Sequence, residues 1–215
     1  MPRITKEESE ARRAEIVDAC EALYQSECYR DITMTQVAER VSFGRANVYN
    51  YFQCKDEILL ALLQREQELW AADLAALASR ASRLSDDELA GALAKSVQAR
   101  EQMLKLLAMN LYDMEQNSRL ENLVQFKHAY KRAVDALKEV LKTAKPQWRE
   151  ECLDLFVFAF LPYLHGVYPY VYHTEKQAAA MEEAGIAQPE LTTYSTTKAL
   201  ALKLLQDGTE QQASA

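Results

Sequence analysis

Between Thr33 and Lys55 the chain places Arg45, Ala46, Asn47, Tyr49, Asn50 and Tyr51 close together, flanked by Thr33, Thr35 and Lys55. These side-chain types suit a nucleic-acid surface. An arginine fork pairs with a guanine edge, and an asparagine carboxamide pairs with adenine or a phosphate. A tyrosine lays ring area on a sugar or thymine methyl and offers its hydroxyl to phosphate. Thr33 or Thr35 can cap the helix that begins beside them and touch the DNA backbone. Lys55 opens a helix, where a cation opposes the helix dipole, so a phosphate partner is expected for it. Arg3, Lys6, Arg12 and Arg13 are candidates for an arm reaching an adjacent phosphate or groove.

The elements that must position these residues are helical. Ile16, Ala19, Cys20, Leu23 and Tyr24 recur at the spacing of one buried helix face, which predicts a helix over about 6–26. Met34, Val37, Ala38 and Val41 repeat the pattern over a shorter span, and Val48 and Phe52 give the following helix its inner face. Three such helices enclose one small core and leave residues 45–51 mostly outside or at its edge. This is the helix-turn-helix arrangement, whose second helix enters the major groove.

A long helix is predicted from Lys55 through Ala78, with Ile58, Leu59, Leu62, Leu63, Leu69 and Trp70 as its apolar positions. A break follows at Ser82 to Asp87. Further helices are expected over 86–110, 118–144, 147–172 and 190–205, with Pro146 in a first turn and joints at Asn117-Ser118 and Gln188-Pro189. Residues 153–164 leave almost no polar face, so that helix needs cover on every side, and a partner subunit is an economical cover. Pro162, Gly166 and Pro169 predict a kink or unwinding toward its end. Residues 208–215 read as a frayed tail.

Composition agrees with an all-α chain. Of 215 residues, 49% are hydrophobic, and Gly and Pro number five each, too few for a turn-rich β protein. The formal charge is −7, and residues 1–60 carry 8 Lys+Arg against 11 Asp+Glu, a net −3. Long-range steering toward DNA is therefore weak, and binding must come from local contacts, helix N-termini and a dimer's doubled contacts. The longest nearly apolar run, 155–164, is too short to span a bilayer, and no leader-like segment opens the chain. The four cysteines lack metal-ligand spacing and read as reduced thiols of a cytoplasmic protein. His128, His165 and His173 lack it too, and no nucleophile–base set or glycine-rich phosphate loop appears, so neither a metal, a cofactor nor an enzymatic activity is expected.

The segments Thr35-Gln-Val-Ala-Glu-Arg-Val41, Asn47-Val-Tyr-Asn-Tyr-Phe52 and Lys55-Asp-Glu-Ile-Leu59 together resemble the TetR family of one-component transcriptional regulators, over roughly residues 10–63. Three positions depart from the family's pattern. Ser42 stands at the usual turn glycine, Gly44 at the usual serine cap of the recognition helix, and Cys54 at the serine cap before Lys55, leaving Glu57 with half a capping box.

The resemblance implies an N-terminal three-helix DNA-binding domain (1–54), a larger helical effector-binding and dimerisation domain (55–207) and a flexible tail (208–215). It further implies a homodimer on a palindromic double-stranded operator, acting as a repressor released by a small apolar or aromatic effector. Helices 147–172 and 190–205 are expected to form a four-helix dimer seam. Met103, Leu107, Tyr112, Phe126, Tyr130, Phe156, Phe160, Tyr163 and His165 are the expected pocket residues, within a wider aromatic and thioether set that includes Met109. Two rivals remain: an adaptor whose C-terminal domain only dimerises or binds a protein, and a helical enzyme or lipid carrier with a chance helix-turn-helix-like turn.

Overall fold

The computed structural model describes residues 5–187 and 189–213, with the side chains of Met109 and residues 210–213 left aside. Among the described residues there are helices and no strands: α1 (Lys6–Ser26), α2 (Met34–Ala38), a 3₁₀ segment (Arg45–Asn50), α3 (Lys55–Ala78), a 3₁₀ turn (Ala81–Arg83), α4 (Asp86–Gln98), α5 (Glu101–Asn117), α6 (Leu120–Ala144), α7 (Glu150–Gly166), α8 (Tyr168–Val171), α9 (Glu175–Glu183) and α10 (Thr193–Ala213). None is long and apolar enough to cross a membrane.

The chain divides into two compact units. The first holds the described residues up to Arg65 together with Asn110–Ala129, and the second holds Glu66–Met109 and the residues from Tyr130 onward. The boundary read from sequence at residue 54 therefore falls inside the first unit, which includes the start of α3 and the α5–α6 corner. Three helices, α3, α5 and α6, contribute residues to both units.

The core of the first unit follows the helical periodicity. Ile16, Cys20 and Leu23 of α1 are fully buried, with Val37, Val48 and Phe52 beside them. Ile58, Leu59, Leu62 and Leu63 of α3 complete it. The Tyr24 hydroxyl donates to Asn110 Oδ1 (3.1 Å), a buried bond that ties α1 to α5. A second polar bolt lies at the α5–α6 corner. Glu57 is 1% exposed, and its carboxylate accepts from Arg119 Nε (2.6 Å), Nη2 (2.8 Å) and backbone N–H (3.0 Å), and from the Gln53 N–H (2.7 Å). Arg119 Nη2 also donates to the Tyr51 carbonyl (3.0 Å).

The second unit departs from several expectations. The helix expected over 86–110 is two, because the chain turns at Ala99–Arg100 between α4 and α5. Pro146 occupies no first turn: it lies in the turn closed by the Trp148 N–H on the Lys145 carbonyl, and α7 starts at Glu150. α7 runs through Pro162 and stops at Gly166, after which α8 forms a short turn around Pro169. Within the single chain Leu155 is 45% and Phe158 74% exposed, which is the part of α7 that the expected partner subunit would have to cover. Leu69, one of the apolar positions of α3, is also exposed. α9 was not anticipated; it has a full capping box at Thr174 but no buried residue, so it lacks the apolar stripe that marks a helix in sequence.

The expected tail is mostly helix. α10 extends to Ala213, and Ser214 and Ala215 lie outside the described residues, as does Gln188 of the expected Gln188-Pro189 joint. α10 packs chiefly on α4 and then on α7, and Gly208 explains why it continues. A Cβ at that position would sit 2.5 Å from Trp148 Cζ2 and 2.6 Å from Cη2, so glycine lets the helix seat against the indole.

Two predictions follow from these contacts. Gly208→Ala should lower stability by roughly 1–3 kcal/mol through overpacking, although helix propensity alone favours alanine by about 1 kcal/mol. Denaturant titration decides by sign. For Glu57, burial alone would raise the carboxyl, but the Arg119 and backbone hydrogen bonds outweigh it and hold the pKa at about 2, below its ordinary 4.5. Between those values the unfolded chain binds more protons than the folded one, so stability rises with pH across that window. Roughly 3 kcal/mol should be present above pH 4.5 and lost as pH falls toward 2. Unfolding free energies of wild type and Glu57→Gln, far apart at neutral pH, should converge near pH 2; a constant gap would refute the linkage.

Candidate nucleic-acid interface

Of the expected contact residues, Thr33 and five on the 3₁₀ segment are exposed, while Thr35, Tyr51 and Lys55 are half-buried. Arg45, Ala46, Asn47, Tyr49 and Asn50 are exposed on the 3₁₀ segment, while Val48 alone of that segment is buried. The segment takes the tighter 3₁₀ form over its six residues instead of the expected second α-helix. Gly44 at its start makes no side-chain cap, and the Asn47 N–H bonds the Gly44 carbonyl (2.8 Å).

The turn before it needs no left-handed residue. Among the described residues only Gly185 has a positive φ, so Ser42 sits without backbone strain at a position where glycine is usual. Its backbone N–H and its hydroxyl (3.0 Å) both donate to Glu15 of α1. Glu15 thereby positions the turn, a role sequence reading missed because an acidic residue on α1 looks like an ordinary solvated charge.

Thr33 caps α2 in a full capping box with Gln36: the Gln36 N–H donates to Thr33 Oγ1 (3.3 Å), and the Thr33 N–H donates to Gln36 Oε1 (2.8 Å). Thr35 accepts from Arg45 Nη2 (2.5 Å), so these two side chains form one polar ridge across α2 and the 3₁₀ segment. Asn50 Nδ2 donates to Asn47 Oδ1 (3.4 Å). Tyr51 is half-buried, its ring 6.2 Å from that of Phe43.

Lys55 has a protein partner where a phosphate was expected. Its ammonium donates to the Tyr29 carbonyl (2.6 Å) and lies 4.1 Å from the Tyr29 ring centroid. The Tyr29 hydroxyl donates to Asp56 Oδ1 (2.5 Å); burial first, then this bond and the Asp56 charge, raise its pKa. Asn117 Nδ2 donates to the other Asp56 oxygen (2.8 Å). Lys6, Arg12 and Arg13 belong to α1 and not to an arm; Arg12 lies over Phe43 (5.2 Å) and Arg13 over Phe52 (4.8 Å). Arg3 lies outside the described residues. Glu57 reaches the N–H of Gln53, one residue before Cys54, and most of its bonding goes to Arg119.

The second unit holds an open cavity of about 550 Å³ between α6 and α7. Tyr130 and His165, both anticipated, line it with Val134, Val157, Leu161, Phe158, Pro162 and the Lys138–Asp154 ion pair (2.5 Å). Phe156, Phe160, Met103 and Leu107 are buried and do not line it. Tyr163 hydrogen-bonds Thr196 (2.8 Å) and Thr197 (2.9 Å) of α10. Tyr112 and Phe126 belong to the first unit, where Tyr112 is 79% exposed and Phe126 buried. The sequence carries little signal for the other lining residues: Lys138 and Asp154 have no motif spacing, and Phe158 is one of many apolar positions on α7. Among the described residues no three His, Cys, Asp or Glu side chains gather to hold a metal ion.

Comparison with known proteins agrees with this geometry. Residues 16–62 match the family described as bacterial regulatory proteins, tetR family, and residues 64–212 match the tetracyclin repressor-like C-terminal domain. An uncharacterized HTH-type transcriptional regulator, YfiR of Bacillus subtilis (strain 168), is 32% identical over 63 residues, which cover 29% of this chain and about a third (31%) of that regulator. The fatty acid degradation regulator FadR from Bacillus halodurans shares the fold at 15% identity and a TM-score of 0.60, covering 90% of this chain and 94% of that one. A TetR/AcrR-family regulator from Thermobifida fusca does so at 15% identity and 0.59, covering 91% and 97%. RolR, solved with resorcinol, does so at 17% identity and 0.52, covering 98% and 97%. With a helix-turn-helix of this geometry and family matches over most of its length, the chain belongs to the TetR family of DNA-binding transcriptional regulators.

Proposed function

We propose that the protein is a homodimeric, ligand-responsive repressor that acts in the cytoplasm on a palindromic operator. The observation that carries the reading is the exposed ridge of Arg45, Asn47, Tyr49 and Asn50, with half-buried Thr35 beside it, set over buried Val48 and Phe52. Its side chains are exposed on a short element held at both ends, and they carry the donors and ring faces that major-groove reading requires. Thr33 and Tyr51 flank the ridge as backbone contacts, and Ala46 offers a methyl to thymine. Lys55 contributes through its grip on Tyr29 and the field it adds near the phosphates.

Dimerisation is assigned to α7 and α10. Leu155, Phe158 and Pro162 form an exposed apolar stripe at helical spacing on α7; Phe158 and Pro162 also line the α6–α7 cavity, so a partner covering the stripe would border the effector site. The effector is a small, largely apolar molecule received between α6 and α7. The cavity volume is in the range of ligand sites, and Lys138, Asp154, Tyr130 and His165 provide the few polar groups that would orient a ligand. RolR, a relative in fold, was solved with resorcinol, a small aromatic molecule. The effector would release DNA to the extent that it prefers the conformation with wrongly spaced heads.

Selection of DNA from a random pool, together with DNA flanking the protein's own gene, tests the reading. Wild type should enrich one palindromic site and bind it with steep salt dependence. Arg45→Ala or Tyr49→Ala should weaken that binding about ten-fold or more, and Leu155→Glu should yield monomers by sedimentation. If no sequence is enriched, the regulator reading fails; if a site is enriched but ligand screens find nothing in the groove, the adaptor reading replaces the sensor.

A further inference from the structure

The 3₁₀ segment has only Val48 buried, and a run of six residues in this form has little rigidity of its own. Its aim depends on what holds its two ends. Upstream, Glu15 fixes Ser42 and Thr35 engages Arg45. Downstream, the hold comes from residue 119, remote in sequence. Arg119 donates from Nη2 to the Tyr51 carbonyl, which closes the segment, and grips Glu57 through Nε and Nη2. Glu57 in turn holds the Gln53 N–H (2.7 Å), so both sides of Phe52 are pinned to one guanidinium–carboxylate pair. Neighbouring bonds reinforce the corner: Asn117 Nδ2 to Asp56 (2.8 Å) and the Cys54 thiol to the Asn117 carbonyl (3.6 Å).

We infer that Arg119 is a positioning residue for DNA reading: from the α5–α6 corner it sets the orientation of the segment Arg45–Tyr51 through the Tyr51 carbonyl and Glu57, without itself contacting DNA. The inference rests on the regulator reading above. It assigns to residue 119, outside the helix-turn-helix, a share of operator specificity. A guanidinium is needed because three acceptors (both Glu57 oxygens and the Tyr51 carbonyl) are served from one planar fork. A lysine keeps the charge and loses that geometry.

The test uses the full-length protein and the DNA site selected by wild type, with Arg119→Gln, Arg119→Lys and Glu57→Gln, each shown by circular dichroism and melting to be folded at the assay temperature. Specific affinity should fall about ten-fold in both Arg119 variants. Affinity for random-sequence DNA and the slope of log K against log salt should stay at their wild-type values. The double variant Arg119→Gln/Glu57→Gln should be no worse than the worse single one, as expected of two residues acting as one unit. In the absence of DNA, amides over 45–53 should exchange faster in Arg119→Gln, while those over 16–24 keep their rates.

Three results would overturn the inference. A salt slope reduced by about 0.9 with rescue by lysine would make Arg119 a phosphate ligand. Unchanged specific affinity in folded variants would leave the pair a matter of stability alone. Failure of wild type to select any DNA would sink the regulator reading and this inference with it, and that outcome is visible before any variant is made.

Discussion

A carboxylate that is almost wholly shielded from water must be compensated by hydrogen bonds, because an uncompensated buried charge is worth several kcal/mol against folding. Glu57 meets that condition with four bonds, three of them from Arg119 and one from the Gln53 N–H. The compensation fixes the geometry of everything nearby. It closes the link between the 3₁₀ segment and α3 and fastens Arg119 to that link, while Asn117 is held beside it by Asp56 and Cys54. The 3₁₀ segment Arg45–Asn50 is therefore tied at its downstream end to this ion pair, through the Tyr51 carbonyl. A hydrophobic pair of similar volume could fill the space, but it could not hold the Tyr51 carbonyl and the Gln53 N–H at the same time.

The sequence shows how such a bond hides. Glu57 is legible as the third residue of α3 and as half of a capping box, because capping is local. Its partner is 62 positions away and has no periodic or motif signature. Glu15 under Ser42 is hidden for the same reason. Elements with a strong period are read well: α1 lies at its expected limits, and Ile16, Cys20, Leu23, Val48 and Phe52 all enter the core. Elements without an apolar stripe are not, and α9 is the clear instance. Period also fails to separate two helices that follow each other closely, so the turn at Ala99–Arg100 went unseen between two good helical patterns.

The cavity illustrates a related asymmetry. Aromatic residues are the natural candidates for pocket walls, yet Phe156 and Phe160 are core, with their rings 5.4 Å apart. The groove instead takes one face of α7, with Asp154, Phe158, Leu161 and His165 at helical spacing, against Tyr130, Val134 and Lys138 of α6. Which face of an apolar helix is core and which is open depends on its neighbours. For α7 those include α10, whose approach is set by contacts such as Tyr163 with Thr196 and Thr197. Sequence supplies the residues of that helix but not the side from which α10 arrives.

Acidity and DNA binding are reconciled at the same scale. The net −3 of residues 1–60 would matter for a surface that attracts phosphate through its average field. Here several acidic groups are turned inward or paired: Glu57 with Arg119, Asp56 with Tyr29 and Asn117, Glu15 with Ser42, Glu21 with Arg65 (2.6 Å). These groups hold the frame, and the polar groups at the 3₁₀ ridge are Arg45, the amides of Asn47 and Asn50 and the hydroxyls of Thr35 and Tyr49. An acidic small domain can thus present a locally usable face to DNA. Part of its negative charge holds the ends of the 3₁₀ segment, so neutralising Glu15 or Glu57 to improve attraction for phosphate would loosen that segment.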